Sequence, residues 1–246
     1  MPHADANQVD VLERSRPRDG APQEMDRRLF MQLLVFACEG DLSPTEGRAR
    51  LIAAVEGARI PAVVYDDLSN PRGVALLTWN EDPTHFVGPV RTLLGTPALH
   101  SLRPQAGWTM TGRTYATGYE PDLEHTLLRR PIDNVLNDAY PWAVWYPLRR
   151  RGSFEALEPQ AKGAIVREHA VIGMAYGRAG HAHDIRLACH GMDPNDNEFV
   201  VGLVSANLHR LSHVVQTMRS TRQTSEYIEK MGPFFVGHAV WRSAGA

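Results

Sequence analysis

The chain has 246 residues, 43% of them hydrophobic and 22% charged, enough to bury one large core or two half-sized ones. A formal charge of -2 offers no electrostatic footing for nucleic acid or an anionic membrane, and only two cysteines, Cys38 and Cys189, exclude a disulfide framework or a four-cysteine zinc site. No apolar run reaches membrane-spanning length and the N-terminus lacks the apolar stretch of a secretory signal, so the expected location is the cytoplasm.

Met1 to Met25 (1–25), rich in Asp, Arg, Pro and Gln, reads as a disordered leader. Leu29 to Ala37 is a nearly continuous apolar strand, and Asp41, Ser43 and Pro44 supply helix-start chemistry before the amphipathic stretch Gly47 to Ala58. Strands are predicted at Ile60 to Asp66 and, after the turn Ser69 to Gly73, at Val74 to Trp79. Pro83 opens a helix running to about Leu94, and Trp108 to Tyr119 is a fourth strand. Residues 26–119 thus spell β-α-β-β-α-β, the ferredoxin-like motif.

Glu120 to Asn137 predicts a helical connector within 120–141, after which 142–246 repeats the order. Its elements are a strand Trp142 to Arg149, a helix Glu158 to Gly177, strands Asp184 to His190 and Phe199 to Ser205, a long helix Leu208 to Met231, and a last strand Pro233 to Trp241. The expected fold class is α+β: a dimeric α+β barrel made of two ferredoxin-like β-α-β-β-α-β repeats, with helices outside.

On the second repeat's first helix, Ile165, His169, Ile172 and Tyr176 follow at spacings of four, three and four, which aims the imidazole where core residues point. Such a histidine is either a hydrogen-bonded packing residue or a ligand.

The stretches WYPLRR from Trp145, REHAVIGMAYG around His169, a strand ending in HGMD, then VVQTMR and GPFFVG are similar to the chlorite dismutase family, and within it to the coproheme decarboxylase branch. The resemblance implies a heme pocket in the C-terminal half and ring-shaped homo-oligomers, with a pentamer favoured. It implies His169 as iron ligand, with alanine replacing the first glycine of the E-H-G-x-x-G segment, and Glu226 or Glu229 as candidates to orient the ring. It makes Tyr146 the redox-active residue that relays an electron and a proton from a substrate propionate. Arg149 and Arg150, the latter where the branch carries lysine, and Arg113 would contact propionates. The implied partners are iron porphyrin and hydrogen peroxide, with coproheme both substrate and cofactor.

The residue facing the iron on the strand after the helix is ambiguous. Counting forward from His169 gives Ala182, counting back from Gly191 gives Asp184, and Arg186 shares the face of Asp184. An aspartate there would repel chlorite but could move a proton during peroxide activation, as could His183 or His181. Three other readings stand: another heme enzyme of this type (a peroxidase or chlorite dismutase), a heme carrier or sensor needing neither Tyr146 nor a proton-moving group, and a non-heme metal site among His181, His183, Asp184, Cys189 and His190. The loop Asp193 to Glu198 loosely resembles a calcium loop but reads as a polar turn.

Overall fold

The computed structural model describes residues 9–17 and 20–244. Eight antiparallel strands form its centre: β1 (Phe30–Cys38), β2 (Ala62–Asp67), β3 (Gly73–Asn80), β4 (Met110–Thr114), β5 (Trp142–Arg150), β6 (His183–Ala188), β7 (Phe199–Ser205) and β8 (Phe235–Arg242). Neighbours run β4-β1-β3-β2 in one half and β8-β5-β7-β6 in the other, the same fourth-first-third-second order. β2 then pairs with β8 and β4 with β6, so the second strand of each repeat meets the fourth of the other and the sheet closes. The dimeric α+β barrel of two ferredoxin-like repeats is thus the fold of this chain.

Alternation along each strand divides the apolar residues between three layers. Ala143, Trp145, Ile185, Leu187, Val200, Val204 and Phe235 fill the barrel with Leu33, Tyr65 and Leu77. The outer face of the first repeat packs under helix α1 (Pro44–Gly57), which starts where Ser43 Oγ accepts the Glu46 N–H at 3.2 Å. On the second repeat Val144, Tyr146, Leu148 and Leu203 point outward beneath α4 (Pro159–Arg178) and α5 (Leu208–Met218). α2 (Arg91–Leu94) packs Leu93 and Leu94 on the outer face of the first repeat, and α3 (Arg130–Leu136) lies on the stretch joining the two repeats. No described helix is long and apolar enough to cross a membrane.

Gly202 on β7 faces into the barrel, where an added Cβ would lie 2.6 Å from the buried Trp145 ring. Gly202→Ala is therefore expected to cost about 1–3 kcal/mol by overpacking, read as a lower denaturant midpoint with unchanged slope.

His85 is buried, with Nε2 3.0 Å from Thr78 Oγ1, whose own proton goes to Pro61 O at 2.8 Å. The imidazole is therefore the Nε2–H donor, and burial holds its pKa below the ordinary range despite nearby Asp82. The unfolded chain binds this proton first as pH falls, so stability is full above the unfolded pKa of about 6.5 and declines through the depressed folded value. His85→Gln is expected to flatten that part of a melting-temperature profile.

The helix expected from Pro83 to about Leu94 is present: Thr84 and His85 are helical, Phe86–Val90 is a π-helical turn around Pro89, whose missing N–H interrupts the regular ladder, and Arg91–Leu94 completes it. Two other expectations are corrected. The fourth strand stops at Thr114 instead of reaching Tyr119. The long helix to Met231 ends at Met218, where Ser220, Thr221 and Ser225 hydroxyls take backbone carbonyls, and Ile228–Met231 becomes an edge strand on β5. Residues 1–8 and 18–19 of the expected disordered leader lie outside the described residues, but Glu13–Arg14 pairs with Glu24–Met25. Glu13 meets Arg28 at 3.3 Å, Arg113 at 3.4 Å and the Ala116 N–H at 2.9 Å.

Candidate functional site

α4 begins with Pro159 in its first turn, where a missing N–H is harmless, and terminates at Gly180 in the left-handed conformation with φ 63°. Of its inward stripe, Ile165 is fully buried while His169, Ile172 and Tyr176 are half-buried. Burial lowers the His169 pKa against the attraction of Asp184 and Glu168, leaving a neutral ring at pH 7.

His169 Nδ1 lies 3.5 Å from Thr221 Oγ1, whose hydroxyl is placed to donate to Met218 O at 2.8 Å or to Thr224 Oγ1 at 3.2 Å. With its proton on either, Thr221 is an acceptor toward Nδ1, the arrangement that leaves the Nε2 lone pair free; Nε2 has no hydrogen bond among the described residues. Glu226 and Glu229, the partners expected from sequence, are engaged elsewhere: Glu226 with Arg222 at 3.2 Å and Glu229 with Arg149 at 3.5 Å. Periodicity hides Thr221 by placing it in the interior of one long helix.

Tyr146 points outward from β5, 7% exposed and stacked on Phe234 at 4.6 Å between centroids. Burial pushes its pKa up to about 12; Arg219 pulls it down and Asp184 adds to the rise. Its hydroxyl has no hydrogen-bond partner among the described residues. Across the sheet Tyr146 is level with Val201 and Val201 with Arg186, placing the tyrosine and the arginine two strands apart, about 10 Å.

Ala182, Asp184 and Arg186 share one face, Ala182 buried with Leu203 and Leu211 and the other two half-buried. Asp184 lies 3.1 Å from Arg186 Nε and 3.5 Å from Arg130. Arg186 also meets Glu120 at 3.3 Å. Glu120 is buried and accepts from Thr117 N, Thr117 Oγ1 and Tyr119 N; although burial raises its pKa, these bonds and Arg186 bring it below the ordinary carboxylate value. Glu120 escaped the sequence reading as a connector residue, and the three-residue spacing from Thr117 was the available signal.

The arginines expected to meet carboxylates already have acidic partners. Arg113 pairs with Glu13, Arg149 with Asp196 at 3.4 Å and Glu229, and Arg150 with Glu198 at 3.0 Å and Glu155 at 3.1 Å. Arg150 is further held over Phe154 and Phe199 at 4.5 and 4.7 Å. Arg219, the last residue of the VVQTMR stretch, has no acidic partner among the described residues, and its field reaches Tyr146. The residues of the non-heme alternative do not converge: His183 stacks on Tyr140, Cys189 donates to Asn197 O and His190 lies at the edge of Phe199. No three His, Cys, Asp or Glu among the described residues form a metal-binding group. Asp193 to Glu198 is a polar turn in which Asp193 Oδ1 accepts from Asn195 N and Asn197 Nδ2.

Two fused ferredoxin-like repeats, with an imidazole held on a helix above the outer face of the second, define the class: a dimeric α+β barrel with its candidate site in the C-terminal half. The chlorite dismutase family model matches residues 82–240, well over half of the chain, and the chain belongs to that family. Similar solved structures include a heme-binding protein from Thermus thermophilus, 15% identical with a TM-score of 0.69 over 88% of this chain and 92% of that one. A chlorite dismutase from Candidatus Nitrospira defluvii in complex with imidazole is 16% identical, with a TM-score of 0.69 over 88% and 93%. At such identities the likeness concerns the fold. No curated protein matches the chain.

Proposed function

We infer that the protein binds an iron porphyrin through His169 and converts coproheme to heme b with hydrogen peroxide. The observation that carries the reading is the place of His169: a half-buried imidazole facing Thr221 Oγ1 through Nδ1 at 3.5 Å, with Nε2 free of hydrogen bonds among the described residues. The surrounding residues fit the group, with Val201 and Leu203 apolar on the sheet face beneath the helices and Arg219 as a cation with no acidic partner among the described residues, available to a propionate.

When bound, the porphyrin iron would supply the two-electron reduction of peroxide to water. Each propionic acid side chain gives up carbon dioxide, two electrons and two protons to become a vinyl group, and peroxide takes the electrons and protons to become two waters. Tyr146 would relay an electron and its hydroxyl proton between propionate and oxidised centre, its unpartnered hydroxyl being free to meet the substrate. Asp184 would accept and return the peroxide proton beside Arg186. Arg149 and Arg150 would meet propionates only by leaving their carboxylates, which makes Arg219 the better anchor. The chlorite reading needs an unpaired cation, whereas Arg186 is held between Glu120 and Asp184.

The test is to load the chain with ferric coproheme, add peroxide and follow products by chromatography. Heme b and carbon dioxide are expected; bleaching alone would overturn the decarboxylase reading. Thr221→Val removes the acceptor for Nδ1–H and is expected to weaken porphyrin affinity about tenfold, read by optical titration.

A further inference from the structure

Tyr176 lies on the same face of α4 as His169, seven residues on, about 10 Å along the axis. Its hydroxyl is hydrogen-bonded to His213 Nδ1 on α5 and lies 2.8 Å from Thr217 Oγ1, which in turn lies 2.9 Å from His213 O. The ring of His181 meets Tyr176 edge-on at 6.4 Å, and His209 lies 5.9 Å from His213. Neither the family match nor the mechanism above uses this group.

A phenol that loses an electron becomes a strong acid, so its oxidation is easy only where a base already holds the proton. Tyr146 would find that base only in a bound propionate, having none among the described residues; Tyr176 has one within the chain in His213. We propose that Tyr176 is a second redox-active tyrosine, giving up one electron from its ring as its hydroxyl proton passes to His213. The oxidant is hydrogen peroxide acting through a porphyrin iron at His169, so this step rests on the reading above. It gains one electron, the Tyr176 O–H bond breaks and an N–H bond forms at Nδ1 of His213, which enters the step as the Nε2–H tautomer. The products are a neutral phenoxyl radical and an imidazolium. Tyr176 thereby takes oxidising equivalents that miss the propionate.

The test separates the pair from the porphyrin. In a first arm, the unliganded chain is flash-oxidised by photoexcited ruthenium tris-bipyridine with persulfate, and tyrosyl radical formation is followed by transient absorption and electron paramagnetic resonance. The fast phase is expected to vanish in Tyr176→Phe and to slow about a hundredfold in His213→Ala, with recovery on adding imidazole, which can reach the exposed His213 position. A fast phase unchanged in Tyr176→Phe, or a His213→Ala rate equal to the native one, overturns the proposal. In a second arm, the coproheme-loaded chain is mixed with peroxide and freeze-quenched. A radical signal lost in Tyr176→Phe supports the proposed oxidant, and one that persists unchanged overturns it. Failure to take up coproheme would sink the functional reading while the first arm still judges the pair.

Discussion

Replacing His169 by alanine is expected to abolish the saturable optical shift on titration with ferric coproheme. The loss should exceed the roughly tenfold to hundredfold that a partner of the ligand is worth, since here the ligand itself is removed. Folding should survive, because His169 is only half-buried and its one described hydrogen bond is the long contact to Thr221. The pH profile of the native protein carries a sign. A proton competes for Nε2, and burial has lowered the pKa, so affinity should stay level through the ordinary imidazole range near pH 6.5 and fall only at more acid pH. Affinity halved already at pH 6.5 would show that burial does not lower this pKa, and porphyrin uptake by His169→Ala equal to the native protein would remove His169 from the site.

Tyr146→Phe should instead leave porphyrin affinity intact and lower peroxide-driven turnover by at least about a hundredfold. The phenylalanine keeps the stack on Phe234 and loses only a hydroxyl that has no described partner, so no folding penalty obscures the result. Turnover equal to the native protein would transfer the role elsewhere, and Tyr176 is the first place to look. A carrier or sensor would lose nothing measurable in either assay.

Much of the barrel was legible because its strands are near-continuous apolar runs, such as Leu29 to Ala37 and Val74 to Trp79, the latter buried on both faces. His169 was legible for a related reason, since helical periodicity alone aims it inward. The partners of these residues were not. Thr221 reaches His169 only because the helix from Leu208 stops early, and what stops it is a set of hydroxyl-to-carbonyl bonds that a periodicity argument does not weigh. The counts forward from His169 and back from Gly191 disagreed by two residues. The structure puts the left-handed turn at Gly180, the first strand residue at His183, and Asp184 and Arg186 on the helix side. Arg150 looked like an anion receptor in sequence, yet Glu198 and Glu155 come from separate segments that only the fold brings to it.

The two seams that close the barrel are unequal. β2 and β8 are stitched through five residue pairs, β4 and β6 through two, Arg113 with Ala188 and Thr114 with Leu187. Beside the short seam Gly112 lets the backbones come close, an added Cβ falling 2.7 Å from Leu187. β6 also carries Asp184 and Arg186, so the strand that bears these candidate residues joins the other repeat through the shorter seam. Opening that seam would break fewer ladder pairs than opening the other, so amide exchange is expected to be faster across β4 and β6 than across β2 and β8.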